Sequence, residues 1–486
     1  MKKLAGLILI FALGMSCYGQ TLDKWVNVTA ASRGTTFYNF ANSDDQLTYV
    51  VVTRSAGANS NAMPFIRKYN EDFSSFEDMD IPETHCATFQ LMGFSDKIIL
   101  NGSTKCPDKP SSSSGVPCNQ VVMGFSPEGK VLFEQEYRDI EGQLMIYSGD
   151  ATLFNSSDQS KIIVVFTGWK MDNSTGKYVP KYYIHVYDED LIEVWNDSIA
   201  YEEVMGEEVS LRRCKFDFTP SGKLVIVVDK QANRLTKCLA SIDIYVYEMP
   251  GQIASKESKT FDYEWVFCKQ VLIGETLFVS GKTYKQLFTF QKNCSSSGIE
   301  AYNQYPLKDI FSTYKKTCPE LKTELGGPAE LVPMVDGVLY MSNYAYTQNT
   351  SMPNRISGGI SLIKFGFDGK LQWVKMIRKS ALLPVENAFL KVYPMNNDLV
   401  AFYGDNPLNI TSTKPGIVYS RTLWGLGVAT ISPDGTIKKT LLEDRVKSKI
   451  NFDLSSMHRI SDNQFVLKGK SKVKDEMNTF FGIISF

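Results

Sequence analysis

Few residues in this sequence have the types and the spacing that catalysis or metal binding requires. The three histidines, His85, His185 and His458, are far apart along the chain, so a metal site built from histidines needs all three to converge. We therefore expect a structural role for each of them and predict no metal site. The sequence also lacks a nucleophile elbow, a His-Glu-x-x-His zinc motif and a phosphate-binding loop.

Paired carboxylates are the second candidate chemistry. They occur at Asp78 with Asp80, Asp188 with Asp190, Glu202 with Glu203, and Glu207 with Glu208. A glycosidase requires two carboxyl groups that face each other at about 5 to 10 Å, and closeness along a loop does not produce that arrangement. We interpret these pairs as solvated loop charges.

Basic residues form the third candidate group, because several of them lie in or beside short β-like segments. If they converge, they favour an anionic ligand such as an acidic sugar or a carboxylate. The alternative is that they surround only water. The predicted ligand-binding residues are Arg212, Arg213, Lys215, Lys269, Lys391, His458 and Arg459.

The cysteines indicate an oxidising compartment. Apart from Cys17, eight cysteines remain, and an even set in an exported chain is typical of disulfide bonding. Cys106 and Cys118 flank a loop rich in proline and serine, and a bond between them would contribute about 3 kcal/mol. Free buried thiols are the alternative for Cys214 and Cys268, which lie in predicted strands.

The amino terminus predicts export. Lys2 and Lys3 precede the apolar stretch 4–13, which is too short to span a bilayer but fits a secretory signal. We predict a signal peptide over 1–19 and a periplasmic or extracellular protein of the bacterial envelope. A lipoprotein anchored through Cys17 is the alternative. No later segment has the roughly eighteen apolar residues of a membrane span, so no transmembrane segment is predicted.

The charge balance argues against a nucleic-acid partner. The formal net charge is −1, whereas nucleic-acid binding depends on a strongly basic surface. Aromatic residues make up 12% and charged residues 22% of the chain, which is typical of a globular protein rather than a disordered one.

The elements that must position these residues repeat along the chain. Eight times, a tight polar turn leads into a short apolar, β-branched run and then a hairpin such as that around Asp368-Gly369. A period of roughly sixty residues built from strands and turns predicts a β-propeller. We predict an all-β, eight-bladed propeller, with seven blades as the alternative.

The last repeat is incomplete, and this predicts how the ring closes. The segment 480–486 supplies a third strand with nothing after it, while the extended segment 24–30 precedes the first complete unit. Pairing the two would complete the last blade and remove two exposed sheet edges. A closed ring cannot be divided, so residues 20–486 are predicted to form a single domain and, we expect, a monomer.

The hairpin of residues 360–365, with its Asp368-Gly369 turn and Leu371-Gln372-Trp373, resembles the repeats of exported bacterial propellers related to the quinoprotein-like superfamily. This resemblance implies the fold and no particular activity. The six tryptophans, at positions 25, 169, 195, 265, 373 and 424, share no phase of the repeat. The tryptophan docking pattern of quinone-dependent enzymes is therefore missing, and we predict no cofactor.

Function in a propeller depends on its loops and its channel. Five segments exceed the length that a hairpin needs: 105–119, 171–180, 308–328, 347–359 and 407–421. Long loops on a rigid scaffold commonly carry recognition. The sequence thus favours a non-catalytic binding or scaffold protein that recognises protein or glycan through loops on one face. The alternative is a hydrolase or lyase with its active site at the mouth of the central channel.

Overall fold

The protein is an eight-bladed β-propeller, as the repeats predict. A computed structural model describes residues 21–28, 35–42, 47–54, 63–82, 85–104, 120–137, 144–146, 152–156, 160–172, 174, 176–200, 214–230, 240–248, 252–262, 267–283, 285–317, 330–347, 354–379, 381–384, 390–411, 425–473 and 476–486. Each blade is an antiparallel sheet in which the chain runs from the innermost strand outward.

The first four blades contain strands β2 to β18. Blade 1 consists of β2 (Thr35–Asn42), β3 (Thr48–Arg54), β4 (Met63–Tyr69) and β5 (Phe76–Asp80). Blade 2 consists of β6 (His85–Phe94), β7 (Lys97–Thr104), β8 (Gln120–Phe125) and β9 (Val131–Tyr137). Blade 3 consists of β10 (Leu144–Ile146), β11 (Thr152–Asn155), β12 (Ile162–Asp172), β13 (Lys177–Tyr187) and β14 (Glu193–Ala200). Blade 4 consists of β15 (Cys214–Phe218), β16 (Leu224–Lys230), β17 (Ala240–Glu248) and β18 (Gln252–Phe261).

The remaining blades contain the other strands and three helices. Blade 5 consists of β19 (Phe267–Ile273), β20 (Thr276–Lys282), β21 (Gln286–Asn293) and β22 (Glu300–Pro306), followed by α1 (Leu307–Thr317). Blade 6 consists of β23 (Glu330–Met334), β24 (Gly337–Thr347), β25 (Asn354–Phe365), β26 (Leu371–Ile377) and β27 (Ala381–Pro384). Blade 7 consists of β28 (Lys391–Met395), β29 (Asp398–Asp405), α2 (Pro407–Thr411), β30 (Gly425–Ile431), β31 (Ile437–Asp444) and α3 (Arg445–Ser448). Blade 8 consists of β32 (Asn451–Ser461), β33 (Gln464–Val473), β34 (Glu476–Ser485) and β1 (Thr21–Asn27).

The two ends of the chain close the ring, which confirms the prediction from the incomplete last repeat. Strand β1 pairs antiparallel with β34, so that Lys24 lies opposite Ile483 and Trp25 opposite Gly482. The amino-terminal strand is thus the outermost strand of blade 8. The apolar cores lie between neighbouring blades, where β-branched and aromatic side chains of adjacent sheets interdigitate.

Four tight hairpins share one local geometry, which explains why Asp-Gly and Pro-x-Gly signals recur in the sequence. In the hairpin 432–436, Ser432 and Thr436 form the closing backbone hydrogen bond, and the Gly435 amide donates to the Ser432 carbonyl. Gly435 has a φ of 80°, a conformation that side chains disfavour. The same bonds and the same left-handed glycine recur at 126–130, 219–223 and 366–370.

The antiparallel order separates the connections into two faces of the ring. The hairpins from innermost to second strand and from third to outermost strand lie on one face, here the turn face. The connections from second to third strand and from blade to blade leave the opposite face, here the connection face. The innermost strands run in the same direction, since the end of β2 at Asn42 abuts the end of β6 at Gly93, where an added Cβ would lie 1.4 Å from the Asn42 carbonyl oxygen.

A lysine of the third strand binds blade 1 to the hairpin of blade 2, and another binds blade 6 to the hairpin of blade 7. The Lys364 Nζ donates to Asp336 Oδ1 at 2.5 Å and to the Pro433 carbonyl oxygen of blade 7 at 2.8 Å. Lys68, at the equivalent position of blade 1, donates to the Pro127 carbonyl oxygen of blade 2 at 2.7 Å. These bonds hold the third-to-outermost hairpin of one blade on the outer strands of its predecessor.

We expect Lys364→Met to lower the free energy of unfolding by about 2 kcal/mol, because two bonds of a buried ammonium are lost. The Lys364 side chain is 1% exposed. Lys370→Met is the matched control, since the Lys370 side chain is 76% exposed and its pair with Asp368 lies at the surface. Urea titrations of both variants test the prediction. Equal effects of the two substitutions would contradict it.

Candidate functional site

The innermost strands surround the axis, where the predicted ligand-binding residues were expected. Successive innermost strands contact one another from β2 through β6 and β11 to β15, and from β19 through β23 and β28 to β32, which returns to β2. Their side chains alternate between the two neighbouring blades, not between the core and the channel, as Leu91 and Met92 of β6 do. In β15, Phe216 and Phe218 pack on blade 3, which leaves Lys215 and Asp217 on the side of blade 5. The inward edge of each strand consists of backbone groups.

Side chains from neighbouring blades bind some of these backbone groups. Asn42 Nδ2 donates to the Arg459 and Ile460 carbonyl oxygens at 2.6 and 2.8 Å. Gln90 forms two bonds with the backbone of Leu153, its Oε1 accepting from the amide at 2.9 Å and its Nε2 donating to the carbonyl at 3.0 Å. Polar residues of the innermost strands thus brace adjacent blades, since edge backbone groups need partners.

The candidate basic residues lie at one level of the ring. Counted from the end of each strand at the turn face, Lys215 and His458 are three residues in, Lys269 and Lys391 four, and Arg459 two. Arg212 and Arg213 lie outside the described residues. The structure therefore distributes the five described residues over blades 4, 5, 7 and 8 around the axis. A ligand site at this level remains a prediction.

Lys215 and Lys269 are close to a buried thiol. Burial raises the pKa of Cys268, with Asp229 adding to the rise and Lys215 and Lys269 opposing it. Cys268 is a free cysteine, and a thiol with a raised pKa is protonated and therefore a poor nucleophile. Each of the two lysines is therefore close enough to Cys268 to affect the pKa of its thiol, which stays protonated.

His458 and Arg459 have structural surroundings. Burial lowers the pKa of His458 to about 4, with the Lys391 charge adding to the effect, so the imidazole is neutral at pH 7. Its ring stacks on Phe40 at 6.2 Å between centroids. The Arg459 guanidinium donates to the carbonyl oxygens of Pro394 at 3.1 Å and Ser461 at 3.0 Å. Arg459 is thus held by backbone carbonyls and by Asp462 Oδ1 at 2.9 Å, and His458 carries no charge at pH 7.

The other two histidines lie away from this level or cannot be placed. His185 is in the third strand of blade 3, where its Nδ1 lies 2.5 Å from Glu193 Oε1. Burial lowers the pKa of His185, and Glu193 opposes this. The backbone of His85 begins β6, and its side chain lies outside the described residues. The Tyr137 and Tyr187 hydroxyls are hydrogen-bonded to each other. The centre of the Tyr137 ring lies 4.5 Å from the centre of the His185 imidazole.

Sequence reasoning missed a buried polar cluster at the connection face, between blades 6 and 7. Lys379 is fully buried after β26, and its Nζ lies 5.9 Å from the centre of the Tyr403 ring. Asp405 Oδ1 accepts from the Asn406 amide at 2.7 Å and from Asn409 Nδ2 at 3.1 Å. Among the described residues, the buried Lys379 Nζ, Tyr403 hydroxyl and Asn406 Nδ2 have no hydrogen-bond partner. Lysine and aspartate are usually exposed, so no residue pattern predicted this cluster.

Burial lowers the pKa of Lys379 to about 8, against the opposing charge of Asp405. Burial also raises the pKa of Tyr403, and Asp405 adds to that rise. The cluster therefore combines an amine that can lose its proton near neutral pH with a phenol that keeps its proton. Such shifts occur both at functional sites and in structural ion networks.

The strand ends that flank the long segments predicted to carry recognition lie on one face. Four of the segments join second and third strands, in blades 2, 3, 6 and 7, and the fifth joins blades 5 and 6, so the strand ends that flank all five lie at the connection face. Parts of them are regular, since β13 begins at Lys177, β25 begins at Asn354, and α1 and α2 begin at Leu307 and Pro407. These parts extend the blades rather than forming loops, because their backbones continue the ladders or close helical turns.

Three of the cysteines discussed above lie outside the described residues, and the metal and membrane predictions can be compared with the described residues alone. Cys17, Cys106 and Cys118 are outside the described residues. Among the described residues, no three histidine, cysteine, aspartate or glutamate side chains are grouped to hold a metal ion. In the same part of the chain, no helix has the length and apolar character needed to cross a membrane.

Comparisons with known proteins show structural similarity at low sequence identity. No family model matches this sequence, and no curated protein matches it. Solved structures of similar fold include the Dos1 propeller, at 10% identity over 95% of both chains with a TM-score of 0.46. The WD40 domain of SCAP from fission yeast has 8% identity over 95% of this chain and 94% of its own, with a TM-score of 0.38. The propeller domain of the Trilobed protease from Pyrococcus furiosus has 10% identity over 84% and 93%, with a TM-score of 0.36. What this chain shares with them is the β-propeller fold.

Proposed function

We propose that this chain is an exported, non-catalytic binding or scaffold protein of the bacterial envelope, a monomeric single-domain propeller that recognises a protein or glycan through its connection face. One observation carries the proposal: the strand ends flanking all five long segments lie on that face, whereas the turn face has tight hairpins. Long connections on a rigid scaffold are the usual location of recognition.

The polar groups of the innermost strands support binding rather than catalysis. Asn42, Gln90 and Arg459 bond to the backbone of neighbouring blades, and His458 is buried and neutral at pH 7. A catalytic site needs a titratable group placed to transfer a proton to or from a substrate. These four side chains instead have partners or surroundings that fix the blades relative to one another.

Two exposed apolar residues on opposite faces provide a matched test of the binding face. Leu408, in α2 at the connection face, is 54% exposed, and Val335, in the β23–β24 turn at the turn face, is 64% exposed. We expect Leu408→Asp to weaken binding of glycan-array or pull-down ligands at least about tenfold, because a charge then opposes desolvation. Val335→Asp should leave binding unchanged.

Crosslinking of the captured ligand locates the face independently. Lys308 of α1 is exposed at the connection face, and Lys370 is exposed in a hairpin of the turn face. Crosslinks should form at Lys308 and not at Lys370. The reverse pattern, or loss of binding in Val335→Asp alone, would refute the proposed face. Turnover of a bound glycan or peptide would favour the hydrolase or lyase alternative.

A further inference from the structure

We propose that the outer rim of blades 1 to 3 is a second docking surface, which binds a basic and apolar segment of a partner protein. This surface, here the acidic rim, consists of the third-to-outermost hairpins and outermost strands of three consecutive blades, residues 70–80, 126–137 and 188–198. It lies at the circumference of the ring, apart from the connection face, and the inference does not depend on the function proposed above.

Charge is strongly segregated on the acidic rim. Its three segments contain thirteen carboxylates and one basic residue, Lys130. The equivalent segments of blades 5 to 8, residues 294–306, 366–377, 432–444 and 21–27, contain six carboxylates and five lysines. Counted over these segments alone, the net charge is −12 on the acidic rim (13 − 1) and −1 on the segments of blades 5 to 8 (6 − 5), and one rim carboxylate, Asp78, is paired with Arg67 of β4. Such a local field attracts and orients a cationic partner.

Large apolar side chains are exposed on the same segments. Phe76 is 47% exposed at the start of β5, Leu132 is 47% exposed in β9, and Ile192 is 62% exposed beside β14. Val131 and Val194 are also exposed, at 39% and 42%. Isolated exposed apolar residues are ordinary, but here each of three consecutive blades places one or two of them at the same point of the repeat, within the acidic segments.

Contacts between blades make the three segments one continuous surface. A Cβ added to Gly129 in the blade 2 hairpin would lie 3.0 to 3.3 Å from Met79 of β5. A Cβ added to Gly124 of β8 would lie 2.5 Å from Leu191 of the blade 3 hairpin and 3.4 Å from Phe133 of β9. Each hairpin therefore lies against the outer strands of the preceding blade, and the exposed residues follow one another along the rim.

Within the described residues, no further strand is paired to the outer edges of the sheets at the acidic rim. Strands β5, β9 and β14 each pair with one neighbour within the described chain, since each ends the strand order of its blade. Outermost strands present backbone donors and acceptors that an extended peptide can pair with, while its side chains contact the surface at alternate positions. An extended segment with alternating basic and apolar residues matches both the charge and the apolar row.

The charge and the exposed apolar residues of the acidic rim favour a protein partner over other macromolecules. Nucleic acids, anionic lipids and acidic glycans carry negative charge and would be repelled by thirteen carboxylates. Neutral glycans are usually bound on flat aromatic rings, and the exposed apolar residues of the acidic rim are aliphatic except for Phe76. A cationic polypeptide with apolar residues is the partner whose chemistry fits.

A seven-residue peptide of alternating lysine and valine is the probe, tested with the chain from residue 20 by fluorescence anisotropy at low salt. Glu134 of β9 and Glu189 of the blade 3 hairpin are both exposed. We expect the double variant Glu134→Lys with Glu189→Lys to raise the Kd at least about tenfold. Glu300→Lys, on the outermost strand of blade 5, is the control and should change the Kd less than about twofold.

Apolar substitutions and altered peptides separate docking from simple charge attraction. Leu132→Ser with Ile192→Ser should also raise the Kd, whereas Phe367→Ser, a residue 43% exposed on blade 6, should not. A lysine–serine peptide should bind more weakly than the lysine–valine peptide, and a glutamate–valine peptide should not bind. Equal binding to the rim variants and the wild type, or equal binding of the glutamate–valine peptide, would overturn the inference. Leu408→Asp reports on the connection face and should leave binding of this peptide unchanged.

Discussion

Removal of residues 20–28 is expected to open the ring and lower the free energy of unfolding by at least about 5 kcal/mol. Strand β1 supplies the outermost strand of blade 8, and its pairing partner β34 would become an exposed edge without it. Val26 and Val28 pack in the core shared by blades 8 and 1, and Trp25 packs in the core shared by blades 7 and 8. Thermal and urea unfolding measure the loss, and light scattering measures the aggregation expected from the open edge.

Single substitutions of Trp25 test the same ring closure with a smaller change than the truncation. Its ring lies against Gly469 and Gly482, where an added Cβ would come within 2.7 and 2.8 Å of it. Its Nε1 donates to Glu443 Oε2 of blade 7 at 2.8 Å. We expect Trp25→Ala to lower the free energy of unfolding by about 3 kcal/mol and Trp25→Phe to lower it by less, because the phenyl ring keeps part of the packing.

Two controls test whether the loss of ring closure causes the loss of stability. Lys24, in the same strand, has a side chain that is 47% exposed, and Lys24→Ala should leave unfolding unchanged. A synthetic peptide of residues 20–28 added to the truncated chain should restore part of the lost stability, as binding to the folded state does. A truncated chain that unfolds at the wild-type temperature would show that β1 does not close the ring.

Asp405→Asn is expected to lower the free energy of unfolding by about 3 kcal/mol, because the buried ammonium of Lys379 loses the carboxylate that favours its charged form. Asp405 and Lys379 are both fully buried, so water does not replace the lost partner. Asparagine keeps the shape of the side chain and can still accept the bonds from the Asn406 amide and from Asn409. The change in charge therefore dominates, and urea unfolding at pH 7 measures it.

The pH dependence of stability follows from the lowered pKa of Lys379. The folded-state pKa is about 8, and the unfolded lysine has a pKa near 10.4. Between these values the unfolded state binds more protons, so this group makes stability rise as the pH increases through the window. Below about pH 8 the amine is charged in the folded state, and its burial then lowers the free energy of unfolding by the full amount. The difference in unfolding free energy between wild type and Lys379→Met isolates the contribution.

The double variant Lys379→Met with Asp405→Asn tests whether the two charges act as a pair. It should be more stable than Asp405→Asn alone, because no charge is then left buried without a partner. Losses that simply add in the double variant would show that the residues are independent. A wild-type profile identical to that of Lys379→Met between pH 8 and 10 would show that the amine is not buried in its charged form.

The repeat architecture could be predicted because its signals are local. Left-handed glycines such as Gly129, Gly369 and Gly435 mark the same hairpin in blades 2, 6 and 7, and β-branched runs form the buried strands. The incomplete last repeat also indicated that the amino-terminal strand joins blade 8, since one missing strand and one unassigned strand fit together. The likeness to quinoprotein-like propellers remains a prediction.

The surroundings of individual side chains were decided by the tertiary structure. Lys391, His458 and Arg459 were predicted together as ligand-binding residues. In the structure, burial makes His458 neutral, and Arg459 bonds to backbone carbonyls. Lys379 and Asp405 were unremarkable in the sequence and are buried together. Turns and strands are encoded within a few neighbouring residues, so the chain alone determined the eight blades and their closure. Burial, the pairing of Lys379 with Asp405 and the acidic rim arise from residues of neighbouring blades that meet only when the blades pack side by side, and the folded ring determined them.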